Sequence, residues 1–340
     1  EEFWPARMSD MRHLCHWPSA EQVPLAPDDF LVRPQRWWRA EGNREAVVPS
    51  LEPDVPSTHT YTSRMYWNGR AHHDDWARGK LPFPFHDRAT NLPLEKELSY
   101  FAGRLSPDPL RRFGTCAIVG SGGALKGAGL GEEIDRHGAV IRFNENKVEG
   151  YERDVGRRTT YRLVYPESFY RPIGQNDGRG GQGGDVRPTQ LLFMPYKRQD
   201  YTYLWKLARG QDACASVRGG FWKKPPLCKT DSINVTAELR LFSPEFLVMA
   251  EECYYAVKHG SVKTTGKRPS SGFFGMLFAL STSCRRLHLY GFGVTASKYC
   301  KYTDPSPGRC DAHYHSQHDY DLEMAWYHQL AQSGFVRFMT

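Results

Sequence analysis

Three histidines fall within six residues in His313-Tyr314-His315-Ser316-Gln317-His318, and Asp319, Asp321 and Glu323 follow at once. Imidazoles change charge near neutral pH and bind metals through either ring nitrogen. The cluster therefore suits a metal site or acid–base chemistry. His318, at the start of a helix-compatible stretch, suits a general base oriented or tuned by nearby charges. Solvated surface histidines are the plain alternative, and spacing alone leaves all three open.

Two further segments suit anions. Gly120-Ser121-Gly122-Gly123 follows the apolar run Cys116-Ala117-Ile118-Val119. A turn between a strand and a helix N-terminus presents free backbone N–H groups, and glycines let a phosphate approach closely. The third glycine of the dinucleotide fingerprint is absent at its usual offset, although Glu145 lies where the ribose-binding acid would sit. A nicotinamide-dependent oxidoreductase and a plain tight turn both stay open here. In Arg268-Pro269-Ser270-Ser271-Gly272, two hydroxyls and a glycine at the start of an apolar helix form an N-cap. With Arg268 beside them they equally suit an anion. Gly291 and Gly293, after the run Leu287 to Tyr290, let a ligand lie against bare backbone.

These segments sit on an alternation of strand and helix signals. Strands are expected at Cys116–Val119, Ala139–Phe143, 160–164, 190–194 and 286–290. Helices are expected at 130–135, 201–208, 244–258, 272–283 and 320–332. Strand, glycine turn, helix and strand open a βαβ unit with a parallel sheet, which makes the fold class α/β. Residues 1–95 are rich in Trp, Pro, His and Arg and read as a stem and wrapping segment. Arg36-Trp37-Trp38 either anchors onto the main domain or packs in an irregular layer. Gly174 to Gly184 is a glycine-rich loop.

Composition narrows the partners. The chain has 340 residues, long enough for a full core without staples, and its 13% aromatic content excludes a disordered chain. Its longest apolar stretch, around Gly272 to Leu280, is far short of the ~20 residues of a membrane-spanning helix. The net charge of +7 points to anionic partners, but 38 acidic residues are spread among 45 basic ones and no run of five or six Lys/Arg occurs. Nucleic acid is not expected. Eight cysteines without a CxxC pair, together with the acceptor pattern Asn234-Val235-Thr236, tilt toward an oxidising, secretory compartment. The chain starts at Glu1 without initiator methionine or signal peptide, which reads as a trimmed chain whose targeting segment is lost.

In this order, the segments resemble the animal-type sialyltransferases, glycosyltransferase family 29. The family's large motif looks like Cys116 to Gly120, Gly131-Glu132-Glu133-Ile134-Asp135, Arg142-Phe143-Asn144, Asp154 to Thr160 and Tyr165-Pro166-Glu167-Ser168. Its small motif is matched from Pro269-Ser270-Ser271-Gly272 through Cys284 to Tyr290-Gly291-Phe292-Gly293. Its very small motif is matched by His318 and Glu323. The short third motif is placed at Lys301-Tyr302-Thr303-Asp304, with Lys where the family has His. His313-Tyr314-His315-Ser316 resembles it in composition but lies too close to His318.

The resemblance implies a single Rossmann-like α/β/α sandwich, a variant GT-A fold, over residues 96–340, preceded by an irregular segment over 1–95. It implies an inverting, metal-independent transfer from CMP-sialic acid to a glycan hydroxyl on glycoprotein or glycolipid, with no cofactor. His318 matches the catalytic base and Lys301 the group that stabilises the departing phosphate, with His313 in reserve. Ser121, Asn144, Ser270, Ser271, Gly272, Gly291, Phe292 and Gly293 fall at or near donor positions, to which Gly122 and Arg268 are added. Glu323, Tyr302 and Tyr165 are supporting residues, Cys116 and Cys284 match a family disulfide, and Asn234 is the glycosylation candidate. Asp319-x-Asp321, which alone would suggest a metal-bound nucleotide sugar, lies inside the very small motif and loses that reading. The compartment implied is the Golgi lumen, with membrane attachment through an N-terminal signal-anchor of a type II protein.

This chain departs from the family at three places. Ser121-Gly122 stands where Asn-Ser is usual, Arg268 where galactose-directed members often carry an aromatic, and Lys301 where His is usual. These leave room for a related donor, CMP-Kdn or CMP-Kdo, or for a non-catalytic glycan-binding relative. The stretch from Gly131 to Ser168 looks closest to α2,3-type enzymes, so galactose is the expected acceptor. Further pairs Cys300–Cys310, Cys214–Cys228 and Cys15–Cys253 are expected, with free thiols as the alternative.

Overall fold

The structure, a computed structural model, describes residues 95–101, 113–169, 189–195, 198–215, 227–229, 239–242, 247, 250, 253–254, 268–282, 284–293, 300–308, 318–332 and 334–339. In chain order the elements are α1 (Glu95–Phe101), β1 (Phe113–Val119), α2 (Gly131–Asp135), β2 (Ala139–Phe143), α3 (Glu152–Val155), β3 (Tyr161–Val164), β4 (Gln190–Phe193), α4 (Arg198–Ala208), β5 (Leu239–Leu241), α5 (Ser271–Thr282), β6 (Cys284–Tyr290), α6 (Tyr320–Gln332) and β7 (Val336–Met339). The chain divides into two compact units, one holding β1, β2, β6, β7, α2, α3, α5 and α6, the other α1, α4 and β3 to β5. No helix among the described residues is long and apolar enough to cross a membrane. Gly174 to Gly184, Arg36-Trp37-Trp38 and the stem over 1–94 lie outside the described residues.

In the first unit β1 is central. It pairs in parallel with β2, from Cys116↔Ala139 to Val119↔Arg142, and with β6, from Phe113↔Cys284 to Val119↔Tyr290. β7 then joins β6 in parallel. Parallel strands carry helices on their faces and so read as continuous apolar runs, as Ala117-Ile118-Val119 and Ala139-Val140-Ile141 do. On one face Ala117, Val119, Val140 and Tyr290 pack with Ile134 of α2, Val155 of α3, Leu125 and Tyr302. Against β1, β2 and β6 lies α5, apolar around its whole circumference. Phe273, Phe274, Met276, Leu277 and Phe278 are all fully buried. Each such side chain contributes roughly 1.5–3 kcal/mol relative to exposure. Gly275 allows the close approach: a Cβ there would stand 2.3 Å from the Phe143 ring of β2.

Several acids of the large motif hold backbone. Asp154 accepts from the amides of Gly127 and Gly129, and Asp135 from those of Arg157 and Arg158. Glu133 accepts the Tyr290 hydroxyl at 2.8 Å. Beside it, His137 donates from Nδ1 to the Glu133 carbonyl, which leaves its Nε2 to accept from His288 Nδ1 at 2.9 Å. Burial, then the facing His137 and Arg337, hold His288 below the ordinary imidazole value.

The second unit is a parallel β3-β4-β5 sheet, registered Tyr161↔Gln190 through Val164↔Phe193 and Leu191↔Leu239 through Phe193↔Leu241. α4 carries Tyr201, Tyr203, Leu204 and Leu207 into a core with Phe101, Val164, Phe169, Leu191 and Phe193.

Two disulfides join described residues, Cys116–Cys284 from the middle of β1 to the first residue of β6 and Cys214–Cys228 in the second unit. Cys253 and Cys300 are also disulfide-bonded. The expected partners Cys15 and Cys310 lie outside the described residues.

Candidate active site

The C-terminal ends of parallel strands are where α/β folds gather ligands, and in the first unit four of the matched segments meet there. β1 and β6 end in glycine turns that touch through bare backbone. Gly120 N donates to Tyr290 O at 2.8 Å and Gly122 N to Gly291 O at 3.1 Å. A Cβ on Gly120 or Gly122 would lie 2.7 or 2.5 Å from the Gly291 oxygen. Gly291 itself has φ 68°, a conformation that glycine adopts without strain. The turn after β1 runs into a three-residue 3₁₀ turn, Gly123–Leu125, and α2 begins only at Gly131. The expectation of free turn amides before a helix N-terminus is thus corrected, since the amides of Gly120 and Gly122 are bound to the β6 turn.

Lys301 lies on the other side of this turn. It forms an antiparallel bridge with Gly122, Tyr302 N donates to Ser121 O at 3.1 Å, and the Lys301 amide donates to Asp304 Oδ2 at 2.7 Å. Lys126 Nζ donates to the Asp304 carbonyl. Tyr302 is fully buried and donates its hydroxyl to Lys147 O at 2.6 Å, while Lys301 is exposed.

At the end of β2, Asn144 takes the left-handed conformation at φ 45°, which asparagine tolerates better than other side chains. Its Nδ2 donates to Ser271 Oγ at 3.2 Å, bringing β2 to the first turn of α5. Ser270 caps α5, its Oγ accepting from Phe273 N at 3.2 Å. Glu323 completes this cap from α6. It accepts the Ser270 amide at 2.7 Å and the Ser270 hydroxyl at 2.6 Å. In an ordinary capping box the acid sits three residues along the same helix; here it comes from a second one. Tyr327 adds a third donor to Glu323 at 3.2 Å. Burial nevertheless pushes the Glu323 carboxyl up to about 7, against the lowering by those donors and with a small further rise from Asp319. Phe292 lies edge-on to Phe143 and Tyr327, beside Gly272.

His318 precedes α6, where Asp319 Oδ1 accepts from Leu322 N as the cap. His318 Nδ1 is 2.9 Å from the Arg268 carbonyl. A carbonyl only accepts, so Nδ1 carries the proton and Nε2 bears the lone pair. Burial holds the ring below the ordinary imidazole value. The Arg268 carbonyl pulls it up, and the Arg268 charge pushes it further down. A neutral imidazole with its lone pair on Nε2 is a competent general base near neutral pH.

The structure therefore gathers Ser121, Gly122, Asn144, Arg268, Ser270, Ser271, Gly272, Gly291, Phe292, His318, Glu323, Lys301 and Tyr302 into one unit, linked through the contacts above. Gly293 follows the β6 turn at φ 111° and is exposed. Tyr165 precedes the 3₁₀ turn Pro166–Ser168 in the second unit. His313 and Asn234 lie outside the described residues. Tyr327 and Tyr254, whose hydroxyl accepts from Asp319 N at 3.3 Å, carry no sequence signal. Neither lies at a motif position, and only the tertiary fold shows what they touch.

A parallel α/β unit with glycine turns at the ends of β1 and β6, an imidazole with its lone pair on Nε2 and the Arg268 charge near it has the chemistry that group transfer from an anionic donor needs. Residues 68–335 match the model of glycosyltransferase family 29 (sialyltransferase), and the chain belongs to that family. It is similar to the human type 2 lactosamine alpha-2,3-sialyltransferase, 34% identical over 178 residues, which are 52% of this chain and 49% of the relative. Its similarity to the rat protein of the same name extends further, 30% identical over 70% of this chain and 68% of the relative. The human CMP-N-acetylneuraminate-beta-galactosamide-alpha-2,3-sialyltransferase 4 is 30% identical over 59% of this chain and 54% of its own length. The chain thus spans about half the length of the human relatives it matches. A crystal structure of a mammalian sialyltransferase shares the fold, with TM-score 0.53, 24% identity and coverage of 72% of this chain and 77% of that one.

Proposed function

We propose that this chain is a sialyltransferase that moves sialic acid from CMP-sialic acid to a glycan hydroxyl, with galactose as acceptor and an α2,3 linkage formed. The observation that carries the reading is the 2.9 Å contact of His318 Nδ1 with the Arg268 carbonyl, which puts the ring proton on Nδ1 and leaves Nε2 to take a proton. In the proposed reaction Nε2 removes the proton of the acceptor hydroxyl as its oxygen attacks the anomeric carbon of the donor. The bond to the phosphate oxygen breaks on the opposite face, so configuration inverts, and CMP leaves with the electron pair. Lys301 neutralises the departing phosphate, a role a fixed cation performs without a metal. The α5 N-terminus, whose Ser270 cap is already taken by Glu323, offers Ser271 and Gly272 to the same anion. The catalytic domain proposed runs over 96–340. The compartment proposed is the Golgi lumen, reached as a type II membrane protein.

A second reading, CMP-Kdn or CMP-Kdo as donor, is motivated by Ser121-Gly122, a turn that carries no side-chain amide where the family usually has one. The test is CMP release from the three donors with a galactoside in the presence of EDTA. CMP-sialic acid is expected to turn over fastest, with the rate unchanged by EDTA. His318→Ala is expected to lower it by about 10²–10⁴ with the melting temperature preserved. An active His318→Ala protein would overturn the mechanism, and preference for another donor would select the second reading.

A further inference from the structure

Besides the Tyr320 ring packed on it at 5.6 Å, His318 is held by two hydrogen bonds. One is its own Nδ1–H to the Arg268 carbonyl. The other acts on the next residue. Asp319 caps α6, its Oδ1 taking the Leu322 amide and its carbonyl the Glu323 amide at 3.1 Å, and the N–H of a cap residue points out of the helix it starts. The hydroxyl of Tyr254 accepts that N–H at 3.3 Å. Tyr254 is 1% exposed, and Cys253 beside it is held by a disulfide. Its ring stands edge-on to Phe273 at 5.5 Å, and Phe273 packs on Trp326 of α6 at 4.7 Å. Tyr254 thus touches the first turn of α5 through its ring and the start of α6 through its oxygen. Ser270 caps the first of these helices and Glu323 lies on the second.

We propose that Tyr254 is a positioning residue for the transfer reaction, fixing the His318 imidazole by holding the Asp319 amide. The inference rests on the transferase reading above. Loss of the hydroxyl removes the acceptor of this N–H and loosens the backbone next to the base. Misplacing a base by a fraction of an ångström lowers turnover while substrate binding, made elsewhere, persists.

Tyr254→Phe keeps the ring contact with Phe273 and removes only the oxygen. It is expected to lower kcat on the order of tenfold, with KM for the CMP donor and the melting temperature unchanged. A role confined to stability would instead shift the melting temperature and leave kcat alone. An independent readout is the NMR titration of the His318 ring. In Tyr254→Phe its midpoint is expected to move up toward the free-imidazole value as water reaches the ring, with the Arg268 charge and the Tyr320 ring at 5.6 Å still beside it. Unchanged kcat with an unchanged titration overturns the proposal, as does a fall in donor affinity that matches the fall in kcat. If the unmodified protein turns over no CMP donor, the transferase reading fails, and the titration alone then decides whether Tyr254 places the imidazole.

Discussion

The two units of this molecule are built from the same parallel strands and held together differently. In the second, aromatic and aliphatic side chains of α1, α4 and β3 to β5 fill a continuous apolar core, and the disulfide Cys214–Cys228 closes a loop of separation 14. In the first, the end that carries the candidate site is held by polar groups. These are the amides of Gly120 and Gly122, the Asn144–Ser271 bond, the two-helix cap at Ser270 and the Lys301–Asp304 turn. An apolar core tolerates rearrangement, because burial is non-directional. Directional bonds fix atoms to tenths of an ångström, which the proposed base and phosphate site require. They cost more when one partner is lost.

The sharpest way to break this contrast is through the disulfides. The chain-entropy relation gives about 5 kcal/mol for a loop of the Cys116–Cys284 separation, 168, and about 3 kcal/mol for Cys214–Cys228. Replacing each pair by serine should give that ranking in urea melts, and only the Cys116–Cys284 variant should lose donor binding. Next comes pH. The folded Glu323 carboxyl titrates at about 7 against an ordinary value of 4.5. The folded state therefore holds the extra proton between those values, and stability falls as pH rises from about 4.5 to about 7, then levels. The loss is on the order of 3 kcal/mol. Glu323→Gln should remove this limb. His288 and His318 have the opposite sign, since their depressed values cost stability as pH falls below 6.5. The acid-side fall should therefore emerge in the Glu323→Gln variant. Gly122→Ala, whose Cβ meets the Gly291 oxygen at 2.5 Å, is expected to cost roughly 1–3 kcal/mol and to abolish CMP-induced stabilisation in a thermal shift. The smallest effect belongs to the second unit. Tyr203→Phe removes the hydroxyl bond to Leu227 O at 2.7 Å, for about 1 kcal/mol in a urea melt, with transfer activity unchanged.

What can be read from the sequence follows the same division. β2 and α6 fall within the expected bounds to the residue, because an unbroken buried run and an aspartate cap are local signals. β6 begins two residues before the expected Arg286, since the exposed Arg285 interrupts the apolar pattern. β5, three residues with a central arginine, is too short to carry a pattern. Of the site, His318, Glu323, Ser270, Asn144 and Lys301 are legible from ordered motifs. The glycine turn reads as an open anion cradle, yet its amides are taken by a strand 170 residues away in sequence (Gly120 to Tyr290). Tyr254 and Tyr327 are invisible for the same reason: a long-range contact leaves no local periodicity.

The seam where Gly120 and Gly122 meet Gly291 also limits how this site can be changed. With backbone on both sides, no side chain can be introduced there to discriminate one donor from another, and substitution trades selectivity directly against folding. Variation in what the proposed donor site accepts must enter around that seam, at Ser121, Arg268 and Phe292. A library aimed at new donors should be randomised at those three positions and leave Lys301 and the three glycines untouched.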